Sequence, residues 1–476
     1  MSNIWLLTEE KPKSSVINQI LQIYKDDFDV NYVCENDITI VPIFHDNLFE
    51  FTYRVDGVSV DGIENIYIKT VSGGSSFMDF LFIVQDNKPV EGGNNNLLFA
   101  VEETKTSDDE SRNTSVYQRC SKFVYIKIFY PDIPLYMLYN DELGLFDNTQ
   151  PSDTSIFGTN MLLTNNVKII GKPDIWFSPF NNIDELITFK NGMKPPPVGN
   201  TPILICRSKN KITVSGKLDK SDSGLISNDP NIGALSYISY TLRQFGWQGE
   251  IEIVNHHVAQ SSVKNNSQNK FLSICDMLHL TMEGITMPSQ YLPPSSYWHY
   301  ETKSEKVASI LFHIACEYIG LKEVYQNHAG CERGYFKTAN DELIALPKVC
   351  GTDNHKLSLP DIILRDDLNQ IVYLMEGKQL STLNQGLEEI ETYDDIEALY
   401  INRYFPGYEV RRYLTIFGGR DSDLPHDMVL FYLNENGSVI LNESREPDLS
   451  ERIRNLINVN SDYHEERDII ITNSLF

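Results

Sequence analysis

The sequence predicts an α/β protein of mixed β-sheets flanked by helices, and three observations predict it. Short runs rich in Val, Ile, Phe and Tyr recur through the first 140 residues and again after residue 359, closed by Gly, Pro, Asn or Asp. Between these blocks lie stretches with apolar residues at helical spacing. At 476 residues the chain is also too long for one ordinary core, so two or three domains of about 100–200 residues each are expected.

In chain order, an amphipathic helix is expected around Ser14–Lys25, followed by the strand-like runs DITIVPIF, FEFTYRV, NIYIKTV, FMDFLFIVQ, LLFAVEETK and FVYIKIF. DNKP and EGGNNN supply turns among them. KNGMKPPPVGN (190–200) suits a linker, because proline ends both helices and central strands. The helix NIGALSYISYTLRQFGW and the strand GEIEIVNHHV follow, in a region locally rich in Lys, Ser and Asn. From residue 305 a second amphipathic helix carries Val307, Ile310, Leu311, Ile314, Ala315 and Ile319 on one face, with Gly320 as its stop. The strands LPDIIL and QIVYLMEGK, the helix LNQGLEEIETYDDIEALYINRYF, and the strands RRYLTIFGG and DMVLFYLNE complete the block. The expected domains are 1–195, 196–292 and 293–476.

Net charge is −26. A protein that merely coats nucleic acid needs a basic footprint, so the balance argues against that class while leaving room for a local basic cleft on an acidic body. The seven cysteines are scattered, without a CxxC pair or zinc-ligand spacing, which speaks against a disulfide framework and against structural zinc. No apolar stretch approaches the roughly 20 residues of a membrane span, and no basic region leads into an apolar segment at the N-terminus. The chain reads as cytoplasmic.

One charged pattern occurs twice. Asp361 begins the run DIIL, and IVYLMEGK closes on Glu376-Gly377-Lys378. Side chains two apart on a strand share a face, so Glu376 and Lys378 point together, and pairing of the two strands brings Asp361 to the same edge. Carboxylates held close repel unless a cation neutralises them, and hard oxygen ligands suit Mg²⁺. An adjacent ammonium orients water and stabilises charge at phosphorus. In the N-terminal block Asp79 lies in FMDFLFIV, and LLFAVEETK ends on Glu103-Thr104-Lys105.

PD…EGK and MD…EETK resemble the motif of the PD-(D/E)xK nuclease superfamily, which includes type II restriction endonucleases. The N-terminal copy has Met78 where that family often has Pro. The resemblance covers the motif strands and their neighbouring helices. It implies two restriction-endonuclease-like domains with a connecting region, and Mg²⁺-dependent hydrolysis of phosphodiester bonds in double-stranded DNA. Asp361 and Glu376, and likewise Asp79 and Glu103, would hold metal, with Lys378 and Lys105 positioning water. Glu305 matches the family's acidic residue on a preceding helix, and Gln118 and Gln385 match its glutamine on the following one. Two active sites would let a monomer cut both strands; one active site would require a homodimer. A non-catalytic DNA-binding protein with this sheet, or a nuclease subunit acting with a protein partner in a transposition or phage-defence complex, are the competing readings.

For DNA contact the expected group is Arg207, Lys209, Lys211, Lys217 and Lys220, with Asn231 at the start of the next helix. Arg403, Arg411 and Arg412 are a second cationic group, in acidic surroundings that offer ion pairs. Asp174 suits a turn or strand start, His256 and His257 a surface pair, and His313 a packed position.

Overall fold

The protein is described from a computed structural model, which covers residues 2–73, 76–104, 115–139, 151–171, 174–194, 203–218, 229–256, 261–262, 269–288, 293–326, 335–346, 357–419 and 426–473. It is α/β, with mixed sheets flanked by helices, as the sequence predicts. The chain packs as two compact units, Met1–Thr70 with Tyr300–Phe476 and Val71–His299. The first unit is thus discontinuous in sequence, a grouping that differs from three consecutive domains.

The first unit opens with β1 (Ser2–Thr8), α1 (Ser14–Phe28), β2 (Tyr32–His45), β3 (Leu48–Val60) and β4 (Ile63–Ser72), whose strands lie in the order β2-β3-β4-β1. α1 buries Val16, Ile17, Ile20, Leu21 and Tyr24, the face that its period requires, and ends on Asp29 in the left-handed region.

In the second unit β5 (Phe80–Gln85) pairs antiparallel with β6 (Leu97–Thr104). α2 (Ser115–Phe129) crosses to β7 (Leu135–Tyr139), parallel to β6, and α3 (Asp153–Thr164) to β8 (Lys168–Ile170), parallel to β7. FVYIKIF, expected as a strand, is the second half of α2. Its β-branched and aromatic content favours a strand locally, but Val116, Tyr117, Cys120, Phe123 and Val124 are buried at helical spacing, and that tertiary burial overrides propensity. α4 (Ile183–Gly192), β9 (Leu204–Arg207), β10 (Lys211–Gly216), α5 (Asp229–Gln244), β11 (Glu250–Asn255), α6 (Asn269–Met277) and β12 (Leu280–Glu283) follow, with a four-stranded sheet in the order β12-β11-β10-β9. α5 and β11 realise the expected helix and strand.

The first unit resumes with α7 (Glu305–Tyr318), after which Gly320 at φ +100° stops the helix as expected. β13 (Lys322–Gln326), β14 (Ile362–Asp366), β15 (Ile371–Gln379), β16 (Glu409–Phe417), β17 (Val429–Leu433) and β18 (Val439–Leu441) form a six-stranded sheet in that order. β14 and β15 are antiparallel, whereas β15, β16 and β17 run parallel. The run IVYLM is unbroken because β15 is buried on both faces from Ile371 to Gly377. Each apolar side chain of the run Ile371–Met375 contributes about 1.5–3 kcal/mol of burial. The long helix expected after β15 is α8 (Leu383–Ile390) followed by short helical turns to Tyr404. The Thr392 hydroxyl donates to the Glu389 carbonyl at 2.7 Å where the helix breaks, a side chain competing with the backbone. α9 (Pro447–Asn473) closes the chain. No described helix is long and apolar enough to cross a membrane, and the described cysteines are free thiols.

Candidate functional site

The register of β14 on β15 builds the C-terminal constellation. Ile362 pairs with Met375, so the next residues outward, Asp361 and Glu376, face one another. Two reciprocal hydrogen bonds lock them: the Asp361 N–H donates to Glu376 Oε2 at 3.3 Å, and the Gly377 N–H donates to Asp361 Oδ2 at 3.0 Å. Lys378 Nζ donates to Glu376 Oε1 at 2.5 Å and lies 2.6 Å from Glu389 Oε2 on α8. The Tyr393 hydroxyl donates to Glu376 Oε2 at 2.5 Å. Asp361, Glu376 and Lys378 are therefore brought together as expected.

Burial and then the neighbouring Asp361 push the Glu376 carboxyl up to about 7, against the lowering effects of Lys378 and Tyr393. Burial lowers and the Glu376 and Glu389 carboxylates raise Lys378, with a net upward shift. Asp361, Glu376 and Glu389 supply carboxylate oxygens, a hard donor set whose chemistry suits Mg²⁺.

Gly377 is required by close approach. A Cβ there would run into the Ser309 hydroxyl on α7 and come 3.2 Å from Asp361 Oδ2. Gly377→Ala is expected to destabilise the fold by about 1–3 kcal/mol, the cost of overpacking, and Ser309→Ala in the same chain to restore most of it. A denaturant melt in which the double variant is no more stable than Gly377→Ala alone would contradict this account.

Glu305 is the first residue of α7, one turn before Ser309. Among the described residues no hydrogen bond or ion pair joins it to Asp361, Glu376 or Lys378. Gln385 donates to Glu389 Oε1 at 2.7 Å and so acts on the site through that carboxylate. Glu389 and Tyr393 were not anticipated, although with Gln385 they fall at four-residue intervals, one face of a helix.

The N-terminal constellation has the same backbone frame in a different register. Phe80 pairs with Val101, so the carboxylate that meets Asp79 belongs to Glu102. The Asp79 N–H donates to Glu102 Oε2 at 3.3 Å, and the Glu103 N–H donates to Asp79 Oδ2 at 2.7 Å. Glu103 thus occupies the position of Gly377, and its side chain alternates to the other face. The expected assignment of Glu103 beside Asp79 is corrected by one residue. Lys105 lies outside the described residues, and Thr104 stands where Lys378 stands in the other copy. The ammonium comes from α2: Lys122 Nζ donates to Glu102 Oε1 and Oε2 at 2.8 and 2.9 Å and to Asp79 Oδ1 at 3.2 Å. Arg119 Nε lies 3.3 Å from Glu102 Oε1. Burial first, then Asp79, push Glu102 up to about 7. Gln118 is in α2, but its side chain lies outside the described residues. Lys122 is four positions beyond it, the same helical step that links Gln385 to Glu389.

The group expected to contact DNA is partly committed within the protein. Arg207 donates to Asp184 at 2.6 Å and stacks over Trp247, and Lys211 pairs with Glu252 at 2.7 Å. Asn231 donates to the Lys217 carbonyl at 2.5 Å, tying α5 to the end of β10. Lys209 is exposed, and Lys220 lies outside the described residues. Arg411 pairs with Glu409 and Glu446, Arg412 with Asp394 and Glu397, and Arg403 lies over Tyr404. Asp174 begins a short 3₁₀ turn. His256 is exposed and His257 lies outside the described residues.

His313 is packed, as expected, and sits at 3.5 Å from Glu317 and 3.2 Å from Glu323. These three side chains cluster closely enough to hold an ion. Lys11 Nζ, however, lies 2.7 Å from Glu317 and 3.4 Å from Glu323, so an ammonium already neutralises the cluster, and it reads as a buried ion network.

No family model, no curated protein and no solved structure matches the chain.

Proposed function

We propose that this chain is a Mg²⁺-dependent DNA endonuclease of the PD-(D/E)xK kind, similar to type II restriction enzymes, with its active centre at Asp361, Glu376 and Lys378. The observation that carries this reading is the reciprocal locking of Asp361 and Glu376 at the end of a buried strand pair, with the Lys378 ammonium beside them. A divalent cation held by Asp361 and Glu376 would neutralise phosphate charge and make water a stronger nucleophile at neutral pH. Lys378 is placed to orient water and to stabilise charge developing on the phosphorus oxygens. Tyr393 and Glu389 act as positioning residues, fixing the Glu376 carboxylate and the Lys378 ammonium respectively.

Supercoiled plasmid incubated with the purified protein and Mg²⁺ tests the proposal. Discrete fragments support it, and fragments lost on chelation of Mg²⁺ identify the cation dependence. A protein that retards DNA on a gel without ever cutting it is instead a DNA-binding protein on this fold. A second reading, cleavage only in the presence of a protein partner, is favoured by the ion pairs that already occupy Arg207 and Lys211. Cleavage that appears only on addition of cell extract supports that version.

A further inference from the structure

The buried face of α4 carries Leu186 and, one turn on, a lysine, Lys190, which is only 7% exposed. Phe157 on α3, Phe180 and Phe189 pack against one another there, with ring centroids between 5.6 and 6.0 Å apart. The Lys190 ammonium lies 5.8 Å from the centre of the Phe157 ring. A lysine buried to this degree ordinarily has a carboxylate partner. The carboxylates on the neighbouring turns are spent elsewhere: Asp184 pairs with Arg207 at 2.6 Å, and Glu185 accepts from the backbone and side chain of Asn181 at 2.9 Å. Asp153, at the start of α3, accepts from the Lys194 N–H at 3.4 Å. Among the described residues no side chain or carbonyl bonds the Lys190 amine, and burial pushes it down from 10.5 to about 8.

An amine without a counter-charge in apolar surroundings is more often neutral, and only the neutral form has the lone pair that attacks a carbonyl carbon. Turning it into an amide also removes the charge that is costly to bury. A lysine held by a carboxylate has neither property. We propose that Lys190 is a modification site, an amine that takes an acyl group from a small thioester. The Nζ lone pair attacks the thioester carbonyl carbon, the N–C bond forms and the C–S bond breaks. The proton lost by the amine leaves with the thiol, so no further reactant is needed. The site lies in the second unit and is independent of the nuclease reading.

Incubating the folded full chain at pH 7.5 with N,S-diacetylcysteamine, a small acetyl thioester, tests the proposal, with acetylation at each lysine followed by peptide mass spectrometry. Lys190 is expected to react about tenfold faster than the exposed Lys209 and Lys303, the gain in neutral amine outweighing its lower basicity and its restricted access. Its rate is expected to level off above a pH of about 8. In urea its advantage is expected to vanish, because the aromatic surroundings are gone. Lys190 reacting no faster than Lys209 and Lys303 in the folded chain overturns the proposal. So does a Lys190 rate that goes on rising about tenfold per pH unit beyond pH 9, the behaviour of an ordinary lysine. An advantage that survives in urea assigns the reactivity to local sequence instead of burial, and overturns the proposal as well.

Discussion

On the nuclease reading proposed above, replacing Lys378 by alanine is expected to slow DNA cleavage about 10²–10³-fold, the usual effect of deleting one preorganised donor from a site where charge develops. That corresponds to roughly 3–4 kcal/mol of transition-state stabilisation. The expectation rests on placement. Lys378 is held by Glu376 and Glu389 at 2.5 and 2.6 Å, so its ammonium enters the reaction already oriented. Gly386 on α8 makes room for it, since a Cβ there would lie 2.7 Å from Lys378 Cγ. Single-turnover cleavage at saturating Mg²⁺ separates this loss from a loss of binding. Alanine at 378 with an unchanged rate would remove the lysine from the mechanism.

The second large effect concerns folding. Lys11→Met is expected to destabilise the protein by about 1.5–3 kcal/mol at neutral pH, because it removes the buried ammonium that bonds two half-buried carboxylates. Burial opposes ionisation of Glu323, but Lys11, His313 and Lys13 outweigh it and hold this carboxyl well below its ordinary 4.5. Glu317 is lowered as well, burial again being overcome by Lys11 and His313. Burial lowers Lys11, yet Glu323 and Glu317 raise it above 10.5.

The signs follow by linkage. Carboxyls depressed in the folded state contribute stability that is present above about 4.5 and is lost as pH falls through their folded values. The raised Lys11 contributes below 10.5, and its contribution is lost as pH rises through its folded value. The deficit of Lys11→Met should therefore be largest between these limits and shrink on acidification. Urea melts at pH 7 and pH 4 check this; a deficit that grows towards acid would show that the carboxylates are not its source. Glu323→Gln added to Lys11→Met should recover part of the loss.

Much of the C-terminal site was legible in the sequence because a strand hairpin has a strict two-residue period. Once Ile362–Asp366 and Ile371–Gln379 are recognised as paired strands, Glu376 and Lys378 share a face and Asp361 has one place to go. Glu389 and Tyr393 were harder to see, since their relevance depends on α8 folding back over β15. FVYIKIF misled because its composition favours a strand, while its position in α2 is decided by what it buries.

The sequence by itself determined the α/β class, most of the buried strands and the Asp361–Glu376 pair at the end of two of them, because apolar periodicity is a local property of the chain. Tertiary structure decided which of two adjacent glutamates meets Asp79. The β5–β6 pairing shifts register between Phe82 and Ile83, and a slip of one residue sends a side chain to the opposite face. It also decided that the ammonium of this copy is Lys122, delivered from a helix twenty positions after Glu102, because a charge can be supplied by any element that packing brings within reach.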